Sequence, residues 1–278
     1  AAIIREYEKK YPDIIKPIYQ TENQHEKKIE IWRTYQLPRI KGKYVAVCEG
    51  DDYWTDPYKL QKQVDYMEQN PQCTLTFHNA TIVDTNDNII QESFLPKNEF
   101  YKGYYRDQSS VYTTDDMIKL DFAPTNSLMF KAKDVVKYVD FYDMRERVCG
   151  DLIMRILYPS FGYAYYFSEK MSAYRMGVAG SASQRANKSD ETKIRTLNGH
   201  LEILNDFNEY TNGKYRESIE EIKKLKIFLH YYDKGSTLIC KKKEYQIFWN
   251  RASLKAKIGF CLRAHFIGVY KLLKKWNS

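Results

Sequence analysis

Between residues 44 and 52 the chain reads Tyr-Val-Ala-Val-Cys-Glu-Gly-Asp-Asp, an apolar run that passes directly into three carboxylates. Five apolar residues in a row predict a strand buried on both faces, and such strands belong mostly to parallel sheets. The acids Glu49, Asp51 and Asp52 then fall at the carboxyl end of that strand, where open α/β sheets place their ligands. Acids gathered beside a sheet are costly unless something positive compensates them. A divalent cation carrying phosphate meets that need. Gly50 allows close backbone approach, and Tyr53-Trp54 supplies a flat aromatic wall. The plain alternative is that Asp51 or Asp52 caps the helix that follows.

The surrounding pattern alternates strands and helices, the mark of α/β architecture. Residues 3–10 read as an amphipathic helix ending before Pro12, residues 14–19 as a short strand weakened by Pro17, and 26–37 as a helix. After the strand at 44–48, Pro57 opens a helix with Leu60, Val64 and Met67 as its apolar stripe. Strands are expected at 74–77, 80–83, 127–130 and 163–167, with a hairpin turn at Asp84–Asn88. Thr114 is expected to cap a helix running to Leu120, and Asp151 to stand in the first turn of a helix reaching Tyr158. Residues 177–188 are small and polar and read as a loop. Beyond about 190 the pattern is helical throughout, near 190–210, 215–232 and 237–276, which places a domain boundary near 188. The expected organisation is 1–188 and 189–278.

With 278 residues, 43% hydrophobic and 29% charged, the composition is that of a folded globular protein and excludes a disordered one. The 25 tyrosines are ascribed mainly to compositional bias. Five scattered cysteines (48, 73, 149, 240, 261) with no C-x-x-C pair argue against a disulfide framework or zinc ribbon. They fit a reducing cytosol. No signal peptide and no 18-residue apolar run is present, so a cytoplasmic chain without a membrane span is expected. The first residues already read as the end of a helix, so an N-terminally incomplete protein is expected.

The block Lys43 to Gln63 resembles the D-x-D region of family 2 glycosyltransferases with a GT-A fold. Tyr19-Gln20-Thr21-Glu22-Asn23 is similar to that family's third strand and its Asn-containing turn. Cys149-Gly150-Asp151-Leu152 resembles its catalytic-base motif, and Met171-Ser172-Ala173-Tyr174-Arg175 its late Tyr-Arg motif. The likeness spans roughly residues 3–185, with the four motifs in order. It implies a GT-A-like, mostly parallel sheet flanked by helices, incomplete at its N-terminus and followed by a helical region. It implies an inverting glycosyltransferase that uses Mg2+ or Mn2+ and a nucleotide-sugar donor, first of all a UDP-sugar. The acceptor is expected to be a glycan or lipid-linked hydroxyl in cell-surface polysaccharide synthesis.

By the same resemblance Asp51 is the metal ligand, Glu49 lies near the ribose or a metal-bound water, and Asp52 caps the next helix or lines the donor site. Asn23 and Arg175 join the donor side, and Asp151 is the general base. Trp54, Asn126 and His78 are assigned to the acceptor side. The chemistry asks for such parts: a cation neutralises a leaving diphosphate, and a carboxylate on the other side of the sugar deprotonates the attacking hydroxyl. For Asp151 the bland reading is favourable charge at a helix N-terminus. Two positions depart from the family pattern: Gly150 stands where Glu is common, and Gly177 where His is common. The family's base-binding first strands have no counterpart in this chain.

The net charge is +8, and no Asp or Glu follows Glu244, whereas Arg251, Lys255, Lys257, Arg263, Lys271, Lys274 and Lys275 do. Leu254, Ile258, Cys261, Leu262, His265, Phe266, Val269, Leu272, Leu273 and Trp276 recur at helical spacing. This end reads either as a helix packed on the domain or as an interfacial helix on the anionic inner face of a membrane. Two other functions fit parts of the pattern: a nucleotidyltransferase, and a non-catalytic binder of anionic membrane or nucleic acid. Acids at the strand ends weigh against nucleic acid as a partner.

Overall fold

A computed structural model describes residues 2–22, 24, 27, 29, 31–96, 98–143, 149–186 and 188–270. The chain divides into two compact units, residues 1–41 and 42–278.

The first unit holds α1 (Ala2–Lys10), which buries none of its residues. Arg5 stacks over Tyr19 at 4.1 Å, and the Tyr19 hydroxyl donates to Glu8 at 2.8 Å. The strand expected at 14–19 does not form: Pro17 offers no N–H, and these residues join no ladder. Of the helix expected over 26–37, the described residues show a short helical turn at Trp32–Gln36 and a 3-10 turn at Leu37–Arg39.

The second unit is built on one seven-stranded sheet. Its strands are β1 (Tyr44–Ala46), β2 (Tyr53–Trp54), β3 (Cys73–Val83), β4 (Ile89–Gln91), β5 (Ser110–Tyr112), β6 (Met129–Lys131) and β7 (Tyr163–Arg175). The main order is β1-β6-β3-β7-β2, with β4 on β3 and β5 on β7. The sheet is mixed, which corrects the expectation of a mostly parallel one. Among the described residues β3 and β7 form the one parallel pair, in register from Cys73↔Tyr163 to Val83↔Arg175. The other pairings are antiparallel. The reason lies in β1. Its apolar run makes only a three-residue, half-buried edge strand, which β6 returns to pair. The doubly buried strand is β3, almost wholly buried along eleven residues. A bulge at His78-Asn79 lets it run unbroken where two strands were expected, and the Asn79 Oδ1 fastens it by accepting from Ala80 N at 2.9 Å and Ser93 Oγ at 2.8 Å.

The helices are α2 (Lys59–Gln69), α3 (Glu99–Lys102), α4 (Thr114–Lys119), α5 (Val135–Asp143) and α6 (Gly150–Leu157). After β7 come α7 (Ala182–Ala186), α8 (Asp190–Tyr210), α9 (Arg216–Asp233), α10 (Thr237–Cys240), α11 (Gln246–Arg251) and α12 (Leu254–His265). Thr113, one residue before the expected cap, closes α4 with a full capping box against Asp116. Aromatic rings fill the core. Phe130 stacks on Tyr158 at 4.1 Å, and Phe77 meets Tyr112 at 5.3 Å and Tyr166 at 5.1 Å. Many tyrosines are therefore structural, a use that bias alone does not describe. Gly162 admits no side chain, since a Cβ there would lie 2.0 Å from the Gln72 carbonyl. The C-terminal helices join the same compact unit as the sheet. Lys119 of α4 pairs with Glu221 of α9 at 2.9 Å, and Ser218 of α9 donates to Asp115 of α4 at 2.6 Å.

Candidate active site

Strands β1, β3 and β7 run in one direction, as their pairings through β6 require. The chain leaves the carboxyl end of β1 near one edge of the sheet and re-enters as β2 beside β7. The crossing segment is Cys48 to Asp52. The acidic run thus lies at the carboxyl ends of β1, β3 and β7, as expected of a ligand site in an open sheet.

Arg175, the last residue of β7, fixes this segment. Its main-chain N–H donates to Asp52 Oδ1 at 2.8 Å, and its Nε donates to the Asp51 carbonyl at 2.8 Å. The guanidinium also donates to the Asp84 carbonyl at 3.1 Å and pairs with Asp87 at 2.8 Å. Each guanidinium nitrogen thus has a protein partner, and together they brace the loop against the β3–β4 turn. In that turn the Asp84 carboxylate accepts from the N–H groups of Asn86 and Asn88, and Asp87 adopts a positive φ of 65°.

Glu49 feels the charges of Asp52, Asp151 and Asp51. Glu49 is an exposed residue, yet its carboxyl sits where protein displaces water. That loss and then the charges of Asp52 and Asp151 push its pKa up to about 7, against a hydrogen bond from Thr125. Loss of water raises Asp52 to about 6, although the Arg175 N–H and the Asn126 side chain oppose the rise. One Asp52 oxygen, Oδ2, is buried with no partner. Asp151 stands exposed in the first turn of α6. Sequence reasoning passed over Tyr174 as a site residue. Its phenol is pushed up to about 12 by burial and then, to a lesser degree, by the charges of Glu49, Asp52, Asp151 and Asp51. The signal was present, since Tyr174 belongs to the Tyr-Arg pair beside the braced loop.

Asn126 is fully buried beneath the site. Its carbonyl accepts from Trp54 Nε1 at 2.9 Å, its Nδ2 donates to the Ala173 carbonyl at 3.0 Å, and its Oδ1 accepts from Ser172 at 2.8 Å. It holds β2 to β7 and leaves Trp54 37% exposed, enough for one face to meet a ligand. The ring's other neighbour is the ammonium of Lys59 at 4.3 Å. Lys59 is 1% exposed and donates to Gln63 at 2.8 Å, and burial lowers its pKa to about 8. The buried face of α2 is Lys59, Gln63 and Met67, while Leu60 is exposed, which corrects the expected apolar stripe. His78 is fully buried; loss of water, first of all, lowers it to about 3, and its Nδ1–H donates to the Asn79 carbonyl. It does not line an open acceptor surface. Asn23 lies outside the described residues.

Whether the acids suit a divalent ion turns on their number and charge. Among the described residues no three His, Cys, Asp or Glu side chains converge closely enough to enclose one. Mg2+ is usually held by one or two carboxylates, with waters and substrate phosphates completing the shell, so a preformed protein cage is not required. One buried Asp52 oxygen has no partner, and Glu49 is kept from ionising first of all by loss of water and then by the charges of Asp52 and Asp151. An ion at this place would rest on one or two of these carboxylates, with waters and phosphate completing its shell.

No family model matches the chain. It is 31% identical over 217 residues to an uncharacterized protein of Mycobacterium tuberculosis and to one of Mycobacterium bovis. The match takes in 73% of this chain and 55% of those proteins, so the chain spans about half the length of the curated relatives it matches. It is also 34% identical over 76 residues, 26% of each protein, to an uncharacterized glycosyltransferase of Methanocaldococcus jannaschii.

Proposed function

We propose that the chain is an inverting, cation-dependent glycosyltransferase. It moves a sugar from a nucleotide-sugar donor, a UDP-sugar first of all, to a hydroxyl of a glycan or lipid-linked acceptor in cell-surface polysaccharide synthesis. The observation that carries this reading is the acidic segment Glu49 to Asp52, fixed by Arg175 at the carboxyl ends of the sheet, with Asp151 near enough for its charge to act on Glu49. The partial likeness to a glycosyltransferase supports it.

In this reading Asp51 holds Mg2+ or Mn2+, with Glu49 and Asp52 beside it. When bound, the ion neutralises charge on the departing diphosphate. Arg175 keeps the loop in place from behind. Trp54 offers its open face to the acceptor. Asp151, exposed and carried on a separate element, takes the proton of the attacking hydroxyl. A base and a donor site on different elements suit single displacement with inversion.

Release of nucleoside diphosphate from UDP-sugars in Mn2+ tests the assignment. Asp51→Ala and Asp151→Asn are each expected to lower turnover by about 100-fold or more, the usual worth of a placed acid, base or charge. Equal turnover in all three proteins rejects the site.

A further inference from the structure

The helix α12 is docked on one side and bare on the other. On the docked side Phe260 is buried, stacking on Tyr232 at 5.2 Å and meeting Trp249 edge-on at 5.0 Å. Ala256 accepts from the Tyr232 hydroxyl at 2.6 Å, and Arg263 pairs with Asp233 at 3.1 Å. Gly235, at φ 68°, lets the end of α9 approach Ala264 so closely that a Cβ would lie 2.9 Å from its nitrogen.

At about 100° per residue, Leu254, Ile258, Cys261 and His265 fall on the opposite side of the same helix. All four are exposed, Leu254 at 75% and Ile258 at 52%. Phe266, Ile267 and Val269 extend the exposed apolar surface beyond the helix end. Lys255 and Lys257 project on either flank of this stripe, and neither has a carboxylate partner among the described residues. An apolar stripe left open in water and edged by lysines on both sides calls for a partner that is apolar within and negative at its surface.

We propose that this face of α12 docks on an anionic lipid surface. A second copy of the chain fits poorly, because joining two such stripes would bring the flanking lysines of both copies together, and no Asp or Glu follows Glu244 to offset them. Bilayer headgroups supply the negative charge in diffuse form, and the acyl boundary takes Leu254, Ile258 and Phe266.

Co-sedimentation of the full chain with phosphatidylcholine vesicles, with and without phosphatidylglycerol, tests this. The chain is expected to sediment with the anionic vesicles, to stay in solution with the neutral ones, and to be released by salt. Lys255→Gln with Lys257→Gln is expected to weaken partitioning about 30-fold, the equivalent of about 1 kcal/mol for each basic residue near such a surface. Leu254→Ser with Ile258→Ser, at exposed positions, is expected to abolish binding while leaving the thermal melt unchanged. Equal partitioning of wild type and both variants overturns the proposal. So does a lipid-free dimer that Leu254→Ser with Ile258→Ser converts to monomer. The readout involves no sugar nucleotide, so it stands or falls apart from the transferase reading.

Discussion

The main-chain N–H of Arg175 donates to the carboxylate of Asp52 while the guanidinium of the same residue holds the Asp51 carbonyl, both at 2.8 Å. One residue at the end of β7 therefore sets the position of two consecutive acids. Its second arm reaches the β3–β4 turn. Arg175→Lys keeps the charge and loses the planar fork, so it cannot serve these partners together. We expect it to lower stability by about 2 kcal/mol, the scale of a lost hydrogen bond to a charged group, as read by urea unfolding. Turnover should fall with it, because the acidic segment is no longer held.

The raised pKa of Glu49 makes stability depend on pH in a definite direction. The folded state holds the proton up to about 7, against an ordinary value of 4.5 for the carboxyl. The folded state therefore binds more protons across that window, and stability falls as pH rises through it. In chelator, the melting temperature should decline from the lower value to the upper. Mn2+ should oppose the decline, most of all at the alkaline end. Glu49→Gln should flatten the profile in part, since Asp52, raised to about 6, acts with the same sign. A profile in Glu49→Gln identical to wild type would remove Glu49 from the cause.

Lys59 acts with the opposite sign and in a different window. Burial lowers it from 10.5 to about 8, so the unfolded chain binds more protons between those values. Stability from this residue rises as pH passes upward through that range. Lys59→Met, similar in volume and uncharged, should abolish the alkaline rise. It should change stability near neutrality by about 1 kcal/mol or less, because desolvation of the charge offsets its single hydrogen bond. Urea unfolding across the alkaline range measures both.

The cysteines offer a chemical map of the fold. Cys48 and Cys261 are exposed, Cys73 and Cys240 are buried, and Cys149 is half-buried against His200 at 3.0 Å. Burial pushes the Cys149 thiol up to about 12. Alkylation followed by mass spectrometry should label Cys48 and Cys261 first, and the other three only on unfolding. Because Cys48 adjoins Glu49, a nucleoside diphosphate with Mn2+ should protect it and leave Cys261 unchanged.

The acidic segment at the end of β1 was legible because three carboxylates follow an apolar run almost at once. The helix carrying Asp151 was legible from its periodicity. The sheet's directions were not. Apolarity marks Tyr44–Cys48 as sheet, but it does not say that the strand stops at Ala46 on an edge, or that β6 pairs it antiparallel. The buried side of α2 was missed for a related reason. Periodicity follows apolar residues, and here Lys59 and Gln63 are buried through Trp54, Thr76 and the Ser127 carbonyl, partners that lie far along the chain. Helix α5 went unnoticed because its Val- and Tyr-rich sequence favours a strand locally, and packing overrides that preference.

The long parallel ladder between β3 and β7 joins segments with the whole of β4, β5, β6 and α3 to α6 between them. Closing so large a loop is entropically slow compared with forming hairpins or helices. Arg175 reaches Asp51 and Asp52 from the end of β7, so the braced acidic loop exists only after that closure. A partly folded chain can hold its early helices and hairpins and still present no assembled acidic centre. Under the proposed function, capture of a divalent ion at this place should therefore require the β3–β7 closure, and not only the first collapse.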